Sequence, residues 1–263
     1  MMRFNPRAVT HELYEDEYGS WDVFCFKKVS STNIIGRSLA LKGYNAAVMA
    51  ESQFLGHGRM SRRWESEVGG LYLTVTLKTD LNENIASTIT MAVSLAVLKS
   101  IYELTGVKCS IKWPNDLLVN GRKICGILSE AVWGTDKLDC VIVGLGLNVN
   151  QNINVFPTEL KDHVTSFYME TGKQYVIKDV AFSLMHYMNC ELKDLSAHRV
   201  RCILRQYRQS CETLGKKISI KDGEDVIFQG EAVAINEDGA LVVKDESGYI
   251  EMFHYGEVSN RLI

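Results

Sequence analysis

The chain has 263 residues and a formal net charge of −3, with 46% apolar and 23% charged residues. These proportions are typical of a folded, soluble protein, and the three prolines leave little room for disordered linkers. The slightly acidic total argues against a nonspecific nucleic-acid or membrane surface.

The N-terminal segment predicts neither a signal peptide nor a DNA-binding arm. It has no apolar segment followed by a small-residue cleavage site, and it carries the acidic residues Glu12, Glu15, Asp16 and Glu17. No apolar run elsewhere approaches the roughly 20 residues needed to span a bilayer. Seven cysteines are scattered without a Cys-x-x-Cys pair. We therefore expect a cytoplasmic protein with reduced thiols.

Apolar spacing predicts the first elements. A strand is expected at residues 22–29, and the Ser-Ser-Thr-Asn that follows can cap a helix ending at Gly43. Further strands are expected at 46–52 and 71–78. The polar, arginine-rich residues 54–66 between them are interpreted as a loop.

The middle of the chain predicts a core helix and three more strands. Apolar residues recur at helical spacing from 87 to 105. Strands are expected at 109–113, 123–133 and 138–149, with a tight hairpin turn at Asn120-Gly121 between the first two. Together with the earlier strands they indicate a sheet that mixes parallel and antiparallel pairs. Residues 178–208 are again predicted to be helical.

The C-terminal part predicts a small β-barrel. After Leu214, short alternating strands at 216–222, 225–235, 240–245 and 249–254 are separated by glycine-containing turns. We therefore divide the chain into a catalytic domain, residues 1–210, and a barrel domain, residues 211–263.

A glycine-rich basic segment begins at residue 56. It contains Gly56, His57, Gly58, Arg59, Arg62 and Arg63, followed by Trp64. Glycine lets the backbone come close to a ligand, and guanidinium groups bind phosphate oxygens bidentately. The segment fits a phosphate or nucleic-acid site, and its composition leaves a solvated basic loop open as the alternative.

A second polar cluster ends the strand predicted at 109–113. Residues 112–116 read Lys-Trp-Pro-Asn-Asp, and the oxygens of Asn115 and Asp116 suit Mg²⁺. Lys123 enters the strand that returns. An Asn-Asp pair after proline is also a common turn sequence, so the pattern alone leaves both interpretations open.

An apolar segment at 143–150 carries Gly144 and Gly146, which leave room for a ring or a backbone to pass close. A dinucleotide-binding fingerprint requires a third glycine that opens a helix, and none follows. A Rossmann site is therefore excluded.

These motifs, taken in order, resemble those of the biotin protein ligases. The resemblance is carried by Ser31-Thr32-Asn33, Gln53, residues 56–64, Lys112 to Asp116, Arg122 to Leu128 and Gly144 to Asn148. It extends over roughly residues 22–260. It is specific, because Lys-Trp-Pro-Asn-Asp followed closely by Arg-Lys-x-x-Gly-Ile-Leu rarely arises in other contexts.

The resemblance implies an α+β fold. A mixed β-sheet with flanking helices, like that of lipoate ligases and class II synthetases, would precede a C-terminal SH3-like barrel. The implied enzyme uses ATP and Mg²⁺ to convert biotin into biotinyl-5′-AMP with release of pyrophosphate. It then transfers biotin to a lysine of a biotin carboxyl carrier protein domain, as in acetyl-CoA carboxylase or a related carboxylase.

The resemblance also implies a role for each motif residue. The implied catalytic residues are Lys123, Lys112, Arg59 and Asp116. Those implied to bind biotin are Ser31, Thr32, Asn33, Gln53, Gly56, His57, Gly58, Arg59, Lys123 and Gly126. Those implied to bind ATP are Arg59, Arg62, Trp64, Lys112, Asn115, Lys123 and Asn148. Asn115 and Asp116 are implied to hold Mg²⁺, and residues 54–66 to form a lid that keeps water from the intermediate.

Two positions depart from the family's usual Gly-Arg-Gly-Arg-x-Gly-Arg loop. His57 stands where the second residue is usually arginine, and Ser61 stands where the sixth is usually glycine. A histidine supplies less charge at neutral pH, and a loop without its third glycine is expected to be stiffer. These changes put the retention of the intermediate in doubt while leaving the reaction intact.

Three alternatives remain at this stage. Some relatives carry an N-terminal helix-turn-helix repressor domain. The short acidic N-terminus here predicts the monofunctional form and no DNA partner. A lipoate or octanoyl ligase would share the fold, and a noncatalytic biotin-binding scaffold would share the pocket. A homodimer is compatible with the sequence.

Overall fold

The structure is a computed structural model that describes residues 9–78, 85–133, 138–193, 195, 197–223 and 225–259. The strands of the first sheet, β1 to β8, are Thr10–Asp16, Gly19–Val29, Ala46–Gln53, Leu71–Lys78, Ser110–Lys112, Asp116–Val119, Arg122–Trp133 and Leu138–Leu147. Those of the second, β9 to β13, are Lys217–Asp222, Asp225–Ile235, Leu241–Lys244, Ile250–Phe253 and Glu257–Ser259. The helices α1 to α5 are Thr32–Ala40, Ile85–Thr105, Phe167–Thr171, Ile177–Leu192 and Ala197–Ser210.

The first sheet is mixed, as predicted. Its strand order is β1-β2-β3-β4-β8-β7-β6-β5. Strands β2 and β3 pair in parallel, with Val23 opposite Ala47, and the other neighbours pair antiparallel. Parallel neighbours need a crossover connection, and α1 supplies it. The N-terminus of α1 is thereby brought to the end of β2.

Both faces of the central strands are covered, which explains why they are almost continuously apolar. On one face Val48 and Ala50 of β3 pack with Ile35 of α1. On the other, Ala47 and its neighbours pack against α2 and α4 in the main core. The sheet therefore supplies a rigid floor from which loops project.

Helix α2 corrects one expectation. Its residues Ala86–Thr105 are long and apolar enough to cross a membrane by length and composition, whereas the sequence suggested that no run approached that length. Most of this segment is buried, with Val93, Val97 and Ile101 fully enclosed. Because α2 packs against α4, α5 and β7, its apolar character is that of a core helix.

The second sheet is the C-terminal barrel expected from the sequence, with strand order β12-β11-β10-β9-β13. It shares a core with the helices, since Met91 of α2 and Tyr207 of α5 pack with Ile218 of β9. The Trp113 indole also donates to the carbonyl of Gly239 at 3.0 Å. The two parts are thus held together by apolar and polar contacts, and a domain boundary after residue 210 stays a prediction.

Three local features differ from the predicted elements. Strand β1 was missed because its charged residues hide the alternation, although it pairs with β2 along its whole length. The helical stretch expected at 178–208 is two helices, α4 and α5. The predicted turn at Asn120-Gly121 is present, with positive φ at both residues as this hairpin turn requires, but it joins the predicted strand β7 to β6, which was not predicted, instead of to the strand expected at 109–113.

A buried carboxylate links three helices. Glu191 of α4 is only 1% exposed, and it pairs with Lys99 of α2 and with Arg199 of α5, the latter at 2.6 Å. A carboxylate removed from water is costly unless cations compensate for its lost hydration. Glu191 therefore fixes the packing of α2, α4 and α5 behind the sheet.

Replacing Glu191 with glutamine tests this linkage. We expect Glu191→Gln to lower the free energy of unfolding by about 1–3 kcal/mol, because Lys99 and Arg199 lose a buried partner but are exposed enough to rehydrate. Urea denaturation followed by circular dichroism measures the change. Glu103→Gln on α2 is the control, since Glu103 is exposed. Equal midpoints for the two variants would contradict the assigned role.

Candidate functional site

A cavity of about 290 Å³ lies between the first sheet, the arginine-rich loop and the start of β13. It brings together most of the residues singled out from the sequence. Those that line it are Ser31, Thr32, Asn33, Gln53, His57, Gly58, Arg59, Arg62, Trp64, Lys112, Asn115, Asp116, Lys123, Gly126 and Asn148. Gly56 is the exception.

The end of the cavity at the N-terminus of α1 is polar and tightly ordered. Oε1 of Gln53 accepts from the backbone N–H of Thr32 at 2.8 Å and from its hydroxyl at 3.1 Å. The amide of Gln53 donates to Ser66, and the Thr74 hydroxyl donates to Asn33 Oδ1 at 2.6 Å. These side chains are buried or partly buried, so their donors and acceptors are fixed before any ligand arrives.

Glycines keep the cavity floor free of side chains. A Cβ on Gly144 would lie 2.0 Å from Asn33, and one on Gly146 would lie 2.2 Å from the indole of Trp64. Gly126 faces Gly146 across β7 and β8 and also lies under Trp64. No other residue type fits beneath this indole without displacing it.

Trp64 covers the floor, but its buried indole N–H makes no hydrogen bond to the described residues. The ammonium of Lys123 lies 5.1 Å from the ring centroid, a cation–π distance. A buried indole N–H normally has a partner, so the unpaired group indicates a surface suited to a further acceptor.

Lys123 is held on three sides. Its backbone N–H donates to the carbonyl of His163 at 2.7 Å, and its carbonyl accepts from Thr165 at 2.9 Å. Its ammonium pairs with Asp116 at 2.7 Å. Because β6 and β7 form the hairpin that carries both partners, the cation and the carboxylate are fixed relative to the glycine floor.

Arg59 closes the cavity from the loop side. It donates to Asn115 Oδ1 at 3.3 Å and to the carbonyl of Gly256 at 3.4 Å. Burial lowers the pKa of the Arg59 guanidinium, and the Asp116 carboxylate acts in the opposite direction. Arginine nevertheless remains charged at any physiological pH, so a partly desolvated cation lies within the site.

The loop is fastened to the barrel by an ion pair. Arg62 forms two hydrogen bonds to the carboxylate of Glu257, one of them at 2.6 Å. Burial acts to raise the pKa of Glu257, but the hydrogen bond and charge of Arg62, together with the charges of Lys112 and Lys221, outweigh it, and the pKa lies below its ordinary value. The carboxylate is therefore ionised at neutral pH, and the pair is lost only as pH falls through this lowered pKa.

The two loop positions that depart from the family pattern are His57 and Ser61. His57 lines the cavity mouth, where it is exposed and bridges to Arg63 across a short antiparallel contact. The left-handed residue of the loop is Met60, with φ of 54°, and Ser61 is not among the described residues with positive φ. The side chain of Ser61 lies outside the described residues. A glycine at 61 is therefore not required by this backbone conformation.

Gly56 acts beneath the loop rather than in the cavity. A Cβ there would lie 2.4 Å from the Ser66 hydroxyl and 2.8 Å from the Trp64 carbonyl. The carbonyl of Gly56 also accepts from the backbone N–H of Trp64. Its small size lets the two ends of the loop approach each other.

The other end of the cavity is formed by Asn148 and the segment after it. Asn148 is 2% exposed and donates to the carbonyl of Thr165 at 2.9 Å. Phe156, Leu160 and Val164 add an apolar wall. These three were not singled out from the sequence, because irregular segments with isolated apolar residues show no periodic pattern.

Asn115 and Asp116 make a weak metal site by themselves. Asn115 Oδ1 accepts from Arg59, and Asp116 pairs with Lys123. No group of three or more candidate metal ligands occurs among the residues that the structure describes. One carboxylate and one amide fit Mg²⁺ only when phosphate oxygens and water complete its octahedral shell. The residues suit a metal that arrives with a nucleotide.

Comparison with known proteins identifies both parts of the chain. Residues 23–148 match the Biotin/lipoate A/B protein ligase family, and residues 213–261 match the Biotin protein ligase C terminal domain. The bifunctional ligase/repressor BirA of Bacillus subtilis is 33% identical over 210 residues, which are 78% of this chain and 63% of that protein. The chain thus spans less than two thirds of that relative.

Two further relatives are matched almost from end to end. The biotin--[acetyl-CoA-carboxylase] ligase of Mycobacterium tuberculosis is 27% identical over 251 residues, 90% of this chain and 87% of its own. A solved biotin protein ligase from Aquifex aeolicus, in complex with biotin and ATP, superposes with a TM-score of 0.74 at 30% identity. That alignment covers 90% of this chain and 97% of the solved one.

Loosening the Arg62–Glu257 pair tests whether the barrel holds the loop. We expect Glu257→Gln to speed tryptic cleavage after Arg62 and Arg63 by about two- to fivefold, because a partly exposed ion pair contributes up to about 1 kcal/mol. Mass spectrometry of timed digests at pH 8 gives the rates. Glu251→Gln serves as the control, since Glu251 accepts from Tyr249 within the barrel. Unchanged cleavage in Glu257→Gln would mean that the loop is held by other contacts.

Proposed function

The chain belongs to the biotin protein ligases of the biotin/lipoate A/B protein ligase family, and on that premise we propose that it activates biotin with ATP and attaches it to a carrier lysine. The products of the first step are biotinyl-5′-AMP and pyrophosphate. In the second step the acyl group passes to a biotin carboxyl carrier protein domain. The names of the relatives, which mention biotin, ATP and acetyl-CoA carboxylase, support this assignment.

The observation that carries the proposal is the run of Gly144, Gly146 and Asn148 along the floor of the cavity. Alternate residues of an extended segment share a face, and the four residue steps from Gly144 to Asn148 span about 13 Å. Gly144 lies by the polar end at Asn33, and Gly146 lies under Trp64. A ligand with a compact polar head, a central charged group and an aromatic tail would fit this length.

The two ends suit the two halves of an acyl-adenylate. Fixed donors and acceptors at Thr32, Gln53 and Asn33 would bind the ureido ring of biotin. Asn148 and the apolar wall at Val164 would bind adenine. The Trp64 indole now lies directly on Gly126 and Gly146, so it would have to lift from the floor when the ligand binds. With its free N–H it would then cover the middle, and Gly126 would allow the chain of biotin to lie flat on the sheet.

Adenylation brings two anions together, a carboxylate and the α-phosphate. Lys123 at the centre would offset their repulsion, and Arg59 from the loop would assist. Arg62 and Lys112 would bind the triphosphate and its pyrophosphate product. For Lys123 and Arg62 to do so, they must exchange their present partners, Asp116 and Glu257, for the nucleotide.

Magnesium would enter with ATP and neutralise triphosphate charge, with Asn115 and Asp116 as its protein ligands. Asp116 would also act in the transfer step. Freed from Lys123, its carboxylate would accept a proton from the attacking amine, which must be neutral to react. Closure of residues 54–66 would keep water from the mixed anhydride between adenylation and transfer.

Pyrophosphate exchange tests the reaction. We expect biotin, but neither lipoate nor octanoate, to drive exchange of labelled pyrophosphate into ATP. Lys123→Gln should lower the exchange rate by about 10²–10³-fold, because one cation at the developing charge is lost. Lys173→Gln, an exposed lysine that does not line the cavity, is the control.

Each outcome of that assay has a definite meaning. Exchange that depends on lipoate or octanoate would move the chain to a different acyl substrate. No exchange with any of the three acids would indicate a binding protein without turnover. A Lys123→Gln rate equal to that of Lys173→Gln would remove Lys123 from the reaction.

A substitution at Asp116 separates its two roles. We expect Asp116→Asn to slow transfer from preformed biotinyl-AMP to a carrier domain by about 10²-fold or more, since the proton acceptor is lost. Raising the pH should partly restore transfer, because a larger fraction of the carrier lysine is then neutral. Transfer at the wild-type rate, with slowed pyrophosphate exchange alone, would limit Asp116 to the metal.

A further inference from the structure

A second cavity, of about 170 Å³, adjoins the first. Its outer part is built from the N-terminal turns of α2, the strand β7 and the barrel, and includes Ser87, Thr90, Ser129 and His254. Ser87 and His254 are exposed, and the cavity therefore reaches the surface between the two sheets. None of these four residues lines the first cavity.

The two cavities share one wall. The residues common to both are Arg59, Trp113, Pro114, Asn115, Ile127 and Leu128. Asn115 is rigid within this wall, because its side chain donates to the carbonyl of Ile127 at 2.6 Å and its own carbonyl accepts from Ile127 at 3.0 Å. Arg59 comes from the loop, and its guanidinium is held by two long hydrogen bonds, to Asn115 at 3.3 Å and to the carbonyl of Gly256 at 3.4 Å. We therefore expect this guanidinium group to be the part of the wall that moves.

We propose that the second cavity is the entrance through which the carrier's lysine side chain reaches the acyl-adenylate, with Arg59 as its gate. This inference rests on the function proposed above. When biotin and the nucleotide occupy the first cavity, the lysine needs another route to the acyl carbon beside Lys123 and Asp116. The second cavity meets the first at the wall that contains Arg59 and Asn115, and Asn115 directly precedes Asp116 in the chain.

The lining of the second cavity suits a lysine side chain. The four-carbon stem would pass between apolar groups, among them Met91, Ile127 and Leu128, the first two of which are buried. The described residues that line it include no carboxylate, and Arg59 is a cation at the inner end. A like charge at the inner end disfavours an ammonium group there. The entrance would therefore deliver the lysine as the neutral amine that the reaction needs.

The transfer step balances without a further reactant. The lone pair of the neutral Nζ attacks the acyl carbon, and the bond from that carbon to the phosphate oxygen breaks. AMP leaves with the electron pair of that bond, and one amine proton passes to the Asp116 carboxylate. The products are the amide and AMP.

Obstructing the mouth of the second cavity tests the proposal. Ser87→Trp and His254→Trp narrow it from opposite sides, one from α2 and one from the barrel, so failure of either variant to fold leaves the other. Lys108→Trp, at an exposed position that lines neither cavity, is the matched control. Each full-length variant is assayed for biotin-dependent pyrophosphate exchange. Each is then assayed for single-turnover transfer from bound biotinyl-AMP to a folded carrier domain.

We expect exchange within about twofold of the wild type and a fall of at least about tenfold in the transfer rate at saturating carrier. Hydroxylamine, a much smaller nucleophile, should still discharge the bound intermediate at close to the wild-type rate. A merely weakened docking surface would instead raise the carrier concentration needed for half-saturation and leave the maximal rate unchanged.

Three results would overturn the proposal. Unchanged transfer in both tryptophan variants would mean that the lysine enters elsewhere. A parallel loss of exchange and transfer would assign the cavity to pyrophosphate rather than to the carrier. A change in half-saturation alone would make the mouth a docking surface without a channel. Absence of exchange in the wild type would be a failure of the proposed function itself, and it is distinguishable because no variant is needed to observe it.

Discussion

Gly126 and Gly146 face each other across two neighbouring strands, and the indole of Trp64 lies where their side chains would be. A flat ligand can lie on a sheet only where the sheet has no side chains. This requirement fixes the surrounding arrangement: the charged groups must enter from the sides, Lys123 from the hairpin and Arg59 from the loop. The sheet supplies both the glycine floor and the Lys123–Asp116 pair, whereas Arg59 comes from the loop that leaves it.

Closure of the site is shared between two parts of the chain. Arg59 and Arg62 of the loop contact Gly256 and Glu257 at the start of the last barrel strand. The barrel is in turn fixed to the strand that precedes Asn115 through the Trp113 indole. The small domain therefore acts on the site without supplying its central charged pair, which belongs to the first sheet.

Local patterns were sufficient for the core helix, the mixed sheet and the barrel, and the resemblance to the biotin protein ligases supplied the motif residues that meet at the cavity. They were insufficient where the relevant contact is distant in sequence. Nothing near Glu257 marks it as the partner of Arg62, because the ion pair joins residues 195 positions apart. Gly56 belongs to the motif but lies under the loop, where its lack of a side chain lets Ser66 and Trp64 approach closely. A motif identifies the residues of a site and leaves their orientation to the packing.

The fastening of the loop to the barrel has a consequence for heat tolerance. A protein opens first where it has the least buried apolar surface, and the last barrel strand is three residues long and sits at the edge of its sheet. Fraying of that strand would release Arg59 and Arg62 together, while the large sheet and its helices could remain folded. The temperature at which the proposed activity disappears would then be set by this strand and lie below the melting temperature of the rest of the protein.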